Sequence, residues 1–82
     1  MKAIKDINEL KQLAKKEKPL ECFVPLNFGL RSSKTIAYLG DERWWILNEI
    51  DDTEQNLTTG QLMDKNLTLV GEALAAGCLM AY

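Results

Sequence analysis

The chain has 82 residues, with ten Lys and Arg against twelve Asp and Glu, two cysteines, no histidine and 46% apolar residues. That length allows one domain with a thin core, for which size scaling gives roughly 5,000 Å² of folded surface. The missing histidine excludes the usual Ser–His and Cys–His nucleophile pairs and zinc sites of the ordinary kind.

From Met1 to Lys18 charges interrupt the chain every few residues, leaving no apolar run of signal-peptide or membrane-span length. Asp6 with Glu9 forms a capping-box pattern, and Ile4, Ile7, Leu10, Leu13 and Ala14 recur at helical spacing, which predicts a helix with one apolar stripe. Lys15, Lys16 and Lys18 suit the C-terminal end of its dipole, and Pro19 stops it. Leu20 to Leu26 reads as a strand with Cys22, Val24 and Leu26 on one face and Glu21, Phe23 and Pro25 on the other. Proline donates no ladder hydrogen bond, so Pro25 implies an edge position or a bulge. Asn27 to Ser33 reads as a loop.

Lys34 to Leu39 and Trp44 to Ile50, joined by the polar turn Gly40-Asp41-Glu42, form the clearest hairpin. Asp51-Asp52-Thr53 turns again and Gln55 to Leu57 pairs briefly. Thr58 with Gln61 then predicts a short helical turn through Met63, and Thr68 caps a helix over Leu69 to Ala76 that ends at Gly77. Cys78 to Tyr82 reads as a last strand. The expected fold is α+β: one small domain over 1–82, an antiparallel meander of three to five strands with an N-terminal helix and one or two short C-terminal helices.

Alternation sends Trp44 and Trp45 to opposite faces, Trp44 with Ile46 and Ile50, Trp45 with Leu47. The neighbouring strand divides in the same way, Ile36 and Tyr38 from Ala37 and Leu39, so neither face is cleanly polar. Tyr38, Trp44, Trp45 and Leu47 are therefore the candidate apolar interface, to be covered by helices on both sides or by a partner, most simply a second copy of the chain. An exposed tryptophan with Tyr38 would also suit base stacking, and the first 18 residues carry six lysines against three acids. The acidic overall balance speaks against a nucleic-acid partner.

Two polar constellations stand out. Arg31, Ser32, Ser33 and Lys34 place a guanidinium, two hydroxyls and an ammonium in a presumed loop, which is anion-binding chemistry. The segment lacks the second glycine of a phosphate-binding P-loop and the Ser-x-x-Lys of a serine nucleophile. Glu49, Asp51, Asp52 and Glu54 gather oxygens where a strand enters a turn, a hard-cation pattern without the EF-hand spacing. The simplest account joins the two, with Arg31 and Lys34 bridging to Asp51, Asp52 or Glu54 as a polar rim beside the apolar face. Cys22 and Cys78, in apolar runs without Cys-x-x-Cys spacing, read as small buried hydrophobes, although a disulfide between them stays open.

Arg31-Ser32-Ser33-Lys34, the string Asn48 to Gln55, and Thr68 with Gly71-Glu72-Ala73-Leu74 and Gly77 resemble a family of small uncharacterised bacterial proteins encoded on chromosomes and mobile elements. The resemblance spans roughly residues 4 to 81; Leu69-Val70 departs from its pattern, which has Asn-Ile after the threonine. It implies a bacterial, cytoplasmic origin and carries no catalytic residue.

These readings lead to an expectation of a non-enzymatic protein-interaction module, homodimeric or bound to another protein, with no cofactor, metal or membrane contact. The alternative is a small anion- or metal-dependent ligand-binding or hydrolytic protein using the Arg31–Lys34 segment and the Glu49–Glu54 turn.

Overall fold

A computed structural model describes every residue from Met1 to Tyr82. The elements are β1 (Lys2–Ala3), α1 (Ile7–Lys16), β2 (Leu20–Pro25), a 3-10 turn (Asn27–Gly29), β3 (Arg31–Gly40), β4 (Arg43–Asn48), β5 (Thr53–Thr58), α2 (Thr59–Met63), α3 (Leu69–Ala76) and β6 (Met80–Ala81). The six strands form one antiparallel sheet in the order β1-β6-β2-β3-β4-β5. The fold is α+β as expected, with more strands than the expected three to five. The two-residue β1 escaped notice because its Lys-Ala sequence has no strand pattern; it exists because β6 offers it an edge, with Lys2 opposite Ala81.

Local chemistry sets the helix boundaries. Asp6 accepts the Glu9 amide at 2.9 Å, while the Glu9 carboxylate reaches back to the Lys5 amide at 2.9 Å. This backbone bond is the main reason the Glu9 carboxyl lies below its ordinary range. Thr58 and Gln61 complete a reciprocal capping box, and Thr68 caps α3 through the Gly71 amide. Gly77 ends α3 at φ 70°, where a side chain would be strained. Pro25 falls where β2 has no second neighbour, because β6 pairs only with Cys22 and Phe23.

All three helices pack on one side of the sheet. The core joins Leu10, Ala14, Leu62, Val70 and Ala73 from the helices to Leu20, Cys22, Val24, Ile36, Trp44 and Ile46 from alternate sheet positions. Trp44 is wholly buried and donates Nε1 to Thr59 Oγ1 at 2.9 Å, which satisfies the one polar atom it takes out of water. The total exposed surface is 5,086 Å². Both cysteines are free thiols, so the disulfide does not form; burial pushes the Cys22 thiol up to about 12.

No helix reaches the other face. Phe23 is sealed there by neighbours in its own layer: the Arg31 guanidinium lies 4.4 Å from its ring centre and the Tyr82 ring 4.7 Å. Ala37, Trp45 and Leu47 are half-buried and Leu39 is exposed. Trp45 donates Nε1 to Glu54 at 2.7 Å and Thr35 donates to Glu49 at 3.1 Å, so polar pairs interrupt the apolar residues.

Candidate functional site

Antiparallel pairing brings two turns to the same end of the sheet. Strand β3 leaves the β2–β3 connection as β4 runs into the β4–β5 turn, with Lys34 opposite Asn48 and the Glu49 amide bonded to Ser33 O at 3.1 Å. Leu26, Phe28 and Leu30 project from the first connection and Ile50 from the second. Leu67 and Leu69, at the entry to α3, line one cleft together with Ile50. Six of the ten large apolar side chains exposed on the molecule are thus gathered at this one end.

Phe28 is the extreme case. It is 98% exposed and has left-handed backbone angles, φ 60° and ψ 32°. That conformation costs a residue with a Cβ about 1–2 kcal/mol. The turn holds because the Leu26 amide bonds Leu30 O at 2.8 Å and the Leu30 amide bonds Asn27 O at 3.2 Å.

The cleft, about 440 Å³, has a polar floor beneath this apolar rim. Ser32 and Lys34 continue the face that carries Ile36, and there they line the cleft beside Thr68 and Leu69 at the start of α3. Lys34 is 5% exposed and donates from Nζ to Asn48 Oδ1 at 2.7 Å. Asn48 is fixed in turn by Nδ2 bonds to Thr53 O (3.2 Å) and Gln55 Oε1 (3.1 Å). Burial pulls the Lys34 ammonium below the ordinary lysine range, and the charge of Asp51 opposes that shift. Asp51 makes no ion pair with it. Its carboxylate closes the turn, accepting from Thr53 Oγ1 at 2.7 Å and the Thr53 amide at 3.2 Å, and these bonds hold its carboxyl below the usual range.

Several sequence expectations need correction here. Arg31, Ser32, Ser33 and Lys34 lie in β3 rather than in a loop, so their backbone is engaged in the pairing with β2 and their side chains alternate. Arg31 and Ser33 fall on the helix-free face, where Ser33 bonds the Tyr82 hydroxyl at 2.8 Å. Ser32 and Lys34 fall in the cleft. The expected bridges from Arg31 and Lys34 to Asp51, Asp52 or Glu54 do not form: the ion pairs are Lys2–Glu9 and Lys11–Glu42. The four acids also disperse, Glu49 and Glu54 onto the helix-free face, Asp51 to the cleft, and Asp52 into the turn at φ 58°. No three acidic or cysteine side chains converge as a metal ion would need. The candidate apolar interface splits as well, because Trp44 is core and Tyr38 packs against it at 4.8 Å under α1, leaving Trp45 and Leu47 on the other face.

Two features went unread in the sequence. The burial of Lys34 was accessible, since alternation in Lys34, Ile36 and Tyr38 puts it on the core-facing side. The apolar tip around Phe28 had only one signal, three large apolar residues in a segment whose glycine marks a turn. No family model, curated protein or solved structure matches the chain. No helix is long and apolar enough to cross a membrane.

Proposed function

We propose that the protein is a non-enzymatic interaction module that pairs with a second copy of itself through the apolar end of the sheet. One observation supports this above the rest: a projecting apolar tip and an apolar-rimmed cleft share the same end. A twofold interface needs a surface that is complementary to itself, and each copy would offer Phe28 as a knob and Ile50, Leu67 and Leu69 as the receiving rim. Clustered apolar exposure of this kind is the usual mark of an interaction surface, whereas singly scattered residues need no explanation. A phenylalanine held in an unfavourable backbone conformation and left in water gives an isolated monomer nothing in return.

The hydrolytic and metal-dependent alternative has less support, because Arg31 and Lys34 occupy opposite faces and the acids are apart. The test is sedimentation velocity from low to high micromolar concentration on the wild type and on Phe28→Asn, asparagine being tolerant of the left-handed conformation. A concentration-dependent dimer that disappears in a folded Phe28→Asn variant supports the reading. A wild type that stays monomeric throughout overturns it.

A further inference from the structure

The floor of the cleft presents a separate chemical problem. Lys34 carries its charge on a residue 5% exposed, and its Nζ has one protein acceptor, Asn48 Oδ1. An ammonium has three protons to donate. The ion pairs of the molecule are formed elsewhere, by Lys2 with Glu9 and Lys11 with Glu42. Asp51, the nearby acid, is occupied in closing its own turn onto Thr53. A desolvated charge without a contacting counterion is among the costliest arrangements a small domain can hold.

Other donors face the same space. Ser32 is 1% exposed and lines the cleft, and its hydroxyl is bonded to no other side chain. Gln55 also lines it, with its amide oxygen already accepting from Asn48 and its amide nitrogen left to donate. Ser32 and Lys34 are two residues apart on one strand and Asn48 lies directly across from Lys34, so rigid sheet geometry rather than a loop fixes the donors. Above them stand Ile50, Leu67 and Leu69, three exposed aliphatic side chains.

We infer that this cleft is a binding site for a monocarboxylate bearing a short aliphatic group, with the carboxylate held by Lys34 Nζ and the Ser32 hydroxyl and the aliphatic part against Ile50, Leu67 and Leu69. The charge balance selects the ligand class. The one ammonium is opposed by Asp51 in the same cleft, which penalises the two charges of a phosphate monoester more than the single charge of a carboxylate, and the cleft has no arginine to grip a phosphate in bidentate fashion. The aliphatic rim favours a hydrocarbon substituent over a sugar. The donors on the floor lie outside the Phe28 tip, but the aliphatic part would rest on the same Ile50, Leu67 and Leu69 rim that the proposed dimer offers to Phe28, so ligand and partner compete there and Phe28→Asn reads the binding free of self-association.

The experiment is an amide NMR titration with sodium 4-methylpentanoate, run on the wild type and on the Phe28→Asn variant so that dimerisation and binding are read separately. Controls are 4-methylpentanamide, the uncharged counterpart, and inorganic phosphate. Saturable shifts centred on Ser32, Lys34, Asn48 and Leu69 are expected with the acid in both proteins. Binding should weaken about tenfold or more in Lys34→Met, the scale of a lost charge-assisted hydrogen bond, and less in Ser32→Ala. Lys34→Met removes a buried charge and should fold; Ser32→Ala supplies the same test by a smaller step. Equal shifts with the amide, tighter binding of phosphate, undiminished binding in folded Lys34→Met, or no saturable shift at millimolar acid would each overturn the inference.

Discussion

The two ends of the sheet solve the same problem in opposite ways. At the β3–β4 end the turn residues Asp41 and Glu42 both have positive φ, the geometry of a tight two-residue hairpin. Glu42 is then tied down on all sides: its carboxylate accepts from Lys11 Nζ at 2.7 and 2.8 Å and from Thr59 Oγ1 at 2.8 Å, and its amide donates to the Tyr38 hydroxyl at 3.1 Å. Thr59 also receives the Trp44 indole, so α1, the hairpin and α2 meet in one network. At the opposite end the β2–β3 and β4–β5 turns and the start of α3 carry exposed apolar side chains beside a buried lysine. The comparison teaches that this small domain ties α1 and α2 to one hairpin through a charged network and leaves the other end with exposed apolar side chains that nothing in the monomer covers.

Substitutions should separate the two ends by size of effect. Trp44→Ala strikes the tied end and the core together; a loss of about 3–5 kcal/mol is expected for an aromatic core truncation, enough to leave the domain largely unfolded in a urea titration. A result below 1 kcal/mol would mean that the network adds little to cooperativity. Gly71→Ala comes next, because a Cβ there would sit 2.6 Å from Leu62 O and 2.7 Å from Asp64 O, both backbone atoms. About 1–3 kcal/mol should be lost as the α2–α3 contact is pushed apart, read by thermal melting.

Titration sharpens the contrast further. Hydrogen bonds from Lys11 and Thr59 hold the Glu42 carboxyl below its ordinary value, so its contribution is present above the unfolded carboxyl range and is lost as the pH falls through the folded value. Lys11 is raised by the same bond, so its part is present below the ordinary lysine value and is lost as the pH rises through the folded value. Glu42→Gln should flatten the acid limb of a stability–pH curve, and an unchanged acid limb would count against the network. Lys34, lowered by burial, has the opposite sign: folding opposes its charged form, so Lys34→Met should be more stable than the wild type at neutral pH. The smallest effect on folding belongs to Phe28→Asn, which should leave monomer stability unchanged or raise it by up to ~1 kcal/mol, because no core contact is lost and backbone strain falls.

Much of the scaffold was legible in the sequence because local rules agreed there with tertiary structure. Asp6, Thr58, Thr68 and Gly77 mark helix ends by side-chain and backbone chemistry that does not depend on distant contacts. Alternation correctly separated Trp44 from Trp45, since the side-chain period of a strand holds in any sheet. The candidate site was harder to read. Arg31-Ser32-Ser33 is polar enough to pass for a loop, but pairing with β2 draws it into β3 and sends neighbouring residues to opposite faces. That single change dissolved the presumed polar rim. Where α3 begins over the sheet decides what faces Lys34, and helix placement is a tertiary fact that no local pattern encodes.

The most direct test of the central claim is a dilution series of amide NMR spectra on the wild-type protein, from low to high micromolar concentration. The account predicts concentration-dependent shifts at Leu26 to Leu30, Ile50 and Leu67 to Leu69, with the Glu42 network unmoved. Shifts confined to Trp45 and Leu47 or to the β5 edge, or spectra that do not change with concentration, would contradict it.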